Sequence, residues 1–265
     1  MLQDQTPFTD SVPDLEPRDY LYGLEWHFDL DAQLIAIGGL LARNRRADEA
    51  LNAEIRQIED HTRRLQGIAA DHAVDDWVDS VHHSAYQGAA HSMAAVGMLA
   101  PLVETIFHQF FMGIHRRFYS ARHPAEAHIR WTAKKNKQWD CHWILLGKRW
   151  DKDLVGGILQ LSEALGMESK LPTDLKSVLS ALFGYRNKMF HLGLEWPQIE
   201  RELFAQRIKH EGWPTAWFPT ATSGELPWIF YLSDDFISHC LATINQVLNG
   251  CGSFVAECVR EEPAH

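Results

Sequence analysis

From Asp29 onward the apolar residues recur every three or four positions, the period of an amphipathic helix. Leu30, Leu34, Ile37, Leu41, Leu51, Ile55, Ile58 and Leu65 form the first run, which Asn44 to Ala47 is expected to break in two. A second run covers Ala73 to Tyr119, with Ala89, Met93, Val96, Leu99, Val103, Ile106 and Phe110 on its apolar face and Pro101 as a kink point. Arg130 to Trp150 reads as a basic helix, and residues 154–166 as a shorter apolar one ending near Gly166. Thr173 is the expected N-cap of a helix that buries Leu175, Val178, Leu179, Leu182, Tyr185 and Met189 and stops at Gly193 and Pro197. A charged helix over 197–211 follows. Trp213, Pro214, Trp217, Pro219 and Pro227 then mark a loop, with a short strand at Trp228 to Leu232. Ser233, with Asp234 and Asp235, opens a last helix whose apolar side runs from Phe236 to Val255.

These runs predict an all-α protein, an antiparallel helical bundle of long helices with a Trp/Pro-rich loop before the last one. Residues 1–22 are acidic and proline-bearing, and read as a mobile arm. Residues 23–265 read as one helical domain, with a long helical hairpin over 23–125 and a second half over 126–265.

Composition narrows the class. The 265 residues are 46% hydrophobic, enough for a sizeable core. The formal charge of -10 argues against a protein coated with nucleic acid, but binding follows local potential. Cys240, Cys251 and Cys258 fall on one helical stripe, and with Cys141 they read as buried reduced thiols. With no basic, apolar leader at the start, they point to the cytoplasm. The most apolar segment, Ala85 to Phe111, carries His91, Glu104 and His108, so a buried helix is expected there and no membrane span.

Metal and cofactor motifs are missing. There is no Cys-x-x-Cys, no His-Glu-x-x-His and no glycine-rich phosphate loop, so neither metal nor cofactor is expected. Residues 130–152 instead gather Arg130, Lys134, Lys135, Lys137, Lys148, Arg149 and Lys152 against Asp140 and Asp151. Trp131, Trp139, Trp143 and Trp150 interleave with them. Cations among aromatic rings suit single-stranded RNA, although tryptophans on one helical stripe equally suit a core.

The chemistry is densest in Arg186-Asn187-Lys188-Met189-Phe190-His191. A looser pattern, Arg followed by His five or six positions on, recurs at Arg56, Arg117 and Arg122 and carries no information. The form with Asn directly after Arg occurs once. This segment resembles the Arg-Asn-x-x-x-His signature of the HEPN superfamily, helical-bundle proteins that include many metal-independent ribonucleases of toxin and anti-phage systems. The resemblance covers the motif and its helical setting, not residues 1–170. It implies a homodimer in which two motifs share one cleft, RNA as substrate, and products ending in a 2',3'-cyclic phosphate. It also admits an antitoxin or other regulatory partner.

On that reading Arg186 binds the scissile phosphate through a fork that keeps its charge, His191 moves the proton, and Asn187 orients. Glu104 is an auxiliary candidate from an earlier helix, and Lys188, Lys134, Lys135 and Lys137 are candidate RNA contacts. A bland reading stays open: Arg186 paired with Glu195, His191 at a helix C-terminus, Asn187 merely exposed. So does a non-catalytic helical dimer acting as a binding or regulatory module, and a His-rich metal hydrolase.

Overall fold

The computed structural model describes residues 15–26, 28–118, 128–132 and 137–261. It is mostly helical. The helices are α1 (Leu30–Thr62), α2 (Ile68–Phe118), α3 (Ile129–Thr132), α4 (Leu154–Leu165), α5 (Leu175–Leu192), α6 (Gln198–Glu211) and α7 (Asp234–Arg260). Two small antiparallel hairpins interrupt them. β1 (Trp143–Leu146) pairs with β2 (Arg149–Lys152), and β3 (Thr220–Ser223) with β4 (Leu226–Phe230).

Local chemistry sets the helix ends. Asp29 accepts from the Ala32 amide, Asp153 from Gly156 and Ser233 from Phe236, each satisfying a donor that its helix leaves open. Thr173 does not cap α5: the N-cap position is Asp174, and its side chain accepts no capping bond. α1 runs unbroken through Asn44 to Ala47. That stretch holds no proline or glycine, and Asp48 gains partners on α2 in Gln87 (3.1 Å) and His91 (2.7 Å).

The basic helix expected over Arg130 to Trp150 is absent. Among the described residues of that span only Ile129–Thr132 is α-helical, and β1 and β2 follow. The two-residue connection Gly147-Lys148 explains the change. Gly147 has φ 62°, which glycine adopts without strain at the first central position of a hairpin turn. Nor is Arg130 a surface cation. It is fully buried, and its guanidinium donates to the carbonyls of Lys137, Gln138, Asp140 and Trp143 and to Gln160 Oε1. Burial pulls its pKa down to about 10.

One core joins the central helices. α2 contributes Val96, Leu99, Val103, Ile106, Phe107, Phe110 and Phe111. α5 adds Leu175, Val178, Leu179 and Leu182, and α7 adds Ile244, Val247, Leu248 and Cys251. Half of the most apolar stretch of α2 is buried in this way, in a helix long and apolar enough to cross a membrane. The four cysteines are buried and unbridged. Of the N-terminal arm, Pro17–Leu24 forms a 3₁₀ helix packed on α7, with Leu21 and Leu24 buried; residues 1–14 lie outside the described residues.

Candidate functional site

The rotation of α5 decides where its motif points. Leu182, Tyr185 and Met189 are at most 1% exposed and fix the inward face. Tyr185 sits among Trp196, Phe204 and Phe218, and its hydroxyl donates to the Phe230 carbonyl at 2.8 Å. Beyond the helix, Trp196 Nε1 donates to the Gly193 carbonyl at 3.0 Å and pins the exit. With those positions turned inward, Asn187, Phe190 and His191 face solvent and Arg186 is half-buried.

Arg186 donates to Asn187 Oδ1 at 3.1 Å, and its guanidinium lies 5.7 Å from the Phe190 ring centre. Among the described residues it makes no ion pair. The alternative partner, Glu195, is engaged elsewhere: it accepts from Tyr86 (2.8 Å) and Trp228 (2.7 Å). His191 has no hydrogen bond, ion pair or ring contact among the described residues. Phe190 packs over Gly97 of α2, where an added Cβ would lie 3.3 Å from its ring.

Arg186 and Asn187 open onto a cleft of about 1230 Å³ between the β1–β2 hairpin, α4 and α5. Glu104, His142, Lys152, Lys176 and Arg207 also line it. Arg186, Asn187 and Glu104 therefore line one cleft, while His191 lies outside it, one turn beyond Asn187. Lys188 is ion-paired with Glu200, and Lys137 sits over the Trp143 ring, 3.1 Å from its centre. Lys134 and Lys135 lie outside the described residues.

In the same cleft Glu104 meets groups that the sequence reading passed over. Glu104 Oε1 is 2.8 Å from His142 Nε2, and His142 Nδ1 is 2.6 Å from Asp140 Oδ1. Burial works against a charged His142 ring, but the bonds to Asp140 and Glu104 outweigh it and raise its pKa. Burial likewise pushes Asp140 up, yet hydrogen bonds from the His142 backbone and ring leave it below the usual carboxylate value. Beside this chain lie His108, whose ring centre is 5.4 Å from that of His142, and the buried Cys141, whose thiol burial pushes up to about 12. The signal was present as adjacent donors, Asp140-Cys141-His142, and as Glu104 and His108 one turn apart. Reading 130–150 as a helix hid it.

The chain matches no protein-family model, no curated protein and no solved structure.

Proposed function

We propose that the protein is a metal-independent endoribonuclease of the HEPN type, an antiparallel helical bundle acting in the cytoplasm as a homodimer in toxin or anti-phage defence. One observation carries the reading. Among the described residues Arg186 and Asn187 hydrogen-bond only to each other and line a cleft of about 1230 Å³, and His191, one turn on, has no hydrogen bond or ion pair. A structural arginine and histidine would be spent on carboxylates and carbonyls, as Arg130 and His142 are.

RNA supplies its own nucleophile. The Arg186 fork binds two non-bridging oxygens of the scissile phosphate and stabilises the extra charge of the pentacoordinate state. One neutral imidazole accepts the 2'-hydroxyl proton as the 2'-oxygen bonds to phosphorus. The P–O5' bond breaks, and the 5'-oxygen takes a proton from a second imidazole, the same residue of another copy. The products are a 2',3'-cyclic phosphate and a 5'-hydroxyl. Asn187, bonded to Arg186, holds the guanidinium in register, and Glu104 lines the same cleft.

The test is cleavage of single-stranded RNA in EDTA with the product ends identified. Wild-type protein should leave cyclic phosphates. His191→Ala removes an exposed side chain, should fold normally, and should cut at least about 100-fold more slowly. If the folded variant cuts as fast as wild type, the assignment is wrong.

A further inference from the structure

Hydrogen bonding accounts for Glu104, His142 and Asp140, but not for His108 beside them. His108 keeps a buried Nδ1 with no hydrogen-bond partner among the described residues. Such an atom is destabilising unless something satisfies it. Cys141, fully buried, sits at the same point. One donor atom from each of His108, Asp140, Cys141 and His142 can be chosen so that all four lie within 4.8 Å of one another.

We propose that these four side chains bind a single divalent transition-metal ion of the zinc class. Zinc takes nitrogen, sulfur and carboxylate donors tetrahedrally at about 2.0–2.3 Å, so its donors stand roughly 3.3–3.8 Å apart. The four side chains need to close by only about an ångström to meet that spacing. The donor set, two imidazoles, a thiolate and a carboxylate, selects zinc over magnesium or calcium, which prefer oxygen alone.

The surroundings fit a metal centre. Glu104 accepts from His142 Nε2, which leaves Nδ1 as the ligand atom. This carboxylate–imidazole–metal order fixes both the tautomer and the ring. The ion would replace the proton now shared by His142 Nδ1 and Asp140, and would displace the Cys141 thiol proton to solvent. The loop that presents three of the ligands is held before any metal arrives. Arg130 bonds its carbonyls at Lys137, Gln138, Asp140 and Trp143 from one buried guanidinium. Gly157 lets α4 close on it, since a Cβ there would lie 2.0 Å from the Cys141 carbonyl oxygen.

The ion would tie β1 and its preceding loop to α2. It goes beyond the ribonuclease reading, which routes no step through a metal. The two fail separately, since cyclic-phosphate ends, scored with the Zn²⁺-loaded chain as well as in EDTA, test the ribonuclease and metal content tests the site.

The experiment uses the full, untagged chain, stripped with EDTA and titrated with Zn²⁺ against a chromophoric chelator. A parallel sample is loaded with Co²⁺ and its absorption recorded. Wild-type protein should bind one tight equivalent of Zn²⁺. The Co²⁺ form should show tetrahedral visible bands and a thiolate-to-cobalt charge-transfer band. Cys141→Ser should lose that band, and the His108→Gln/Cys141→Ser double variant should bind Zn²⁺ at least about 100-fold more weakly. No tight equivalent in the wild-type chain, or a Co²⁺ spectrum without the thiolate band, overturns the site without recourse to any variant. Equal Zn²⁺ affinity in wild type and a folded double variant would also overturn it, assigning the binding to other histidines.

Discussion

Glu195 follows the motif helix directly, and it shows why single side chains resist reading from sequence. Its proximity to Arg186 suggested an ion pair. The structure gives its two oxygens instead to Tyr86 and Trp228, which are 109 and 33 positions away. No local pattern encodes those partners. Arg186, Asn187 and His191, by contrast, were legible as outward residues because their inward neighbours repeat every three or four positions. The bonds from Trp228 first, then Tyr86, hold the Glu195 carboxyl below its usual value. A carboxyl with a depressed folded pKa adds stability above its unfolded value, and the gain is lost as pH falls through the folded value. Glu195→Gln should therefore destabilise the protein near neutrality and by progressively less below about pH 4.5. The group is exposed, so the difference should stay under about 1 kcal/mol. Urea unfolding of both proteins across that range measures it, and a gap that grows on acidification would contradict the assignment.

At the scale of elements, long periodic helices could be read, and of the four short strands only β4 overlaps an expected one, at Trp228 to Leu232. α2, α5 and α7 declare themselves over many turns, whereas β1 and β2 have four residues each, too few to separate period two from period 3.6. The tryptophans between 131 and 150 happen to fall on a helical stripe, which reinforced the wrong period. The metal-ligating loop was lost with it. Packing between elements was equally hidden. The Pro17–Leu24 segment lies on α7 because Gly252 has no side chain: a Cβ there would come within 1.9 Å of the Pro17 carbonyl oxygen. Gly252→Ala should push that segment off the helix, unseat Leu21 and Leu24, and cost about 1–3 kcal/mol. Gly38→Ala makes the contrast. On α1 nothing lies within 4 Å of the new Cβ, and alanine should stabilise the helix by up to about 1 kcal/mol. Chemical denaturation of the pair separates close packing from helix propensity; a destabilisation of equal size at both positions would show that contact with Pro17 is not the cause.

For the whole molecule, the decisive relation is between Arg186 and His191. Five positions on a helix put them about 140° apart in rotation and about 7.5 Å apart along the axis. Arg186 opens into the cleft and His191 lies outside it. One copy of the chain carries a single motif imidazole, turned away from Arg186, whereas a second copy laid against the α5 surface would supply the second imidazole that the reaction uses. Phe190, 53% exposed between them, gives that surface an apolar centre. If the cleavage site is shared in this way, activity depends on association. Cleavage per chain should be constant at high protein concentration and fall in step with the dimer fraction on dilution. Light scattering at matching concentrations follows that fraction. Phe190→Glu, placed on an exposed position, should leave each chain folded while shifting the fall to higher concentration. A protein that is monomeric throughout and keeps a constant rate per chain must cut within one cleft.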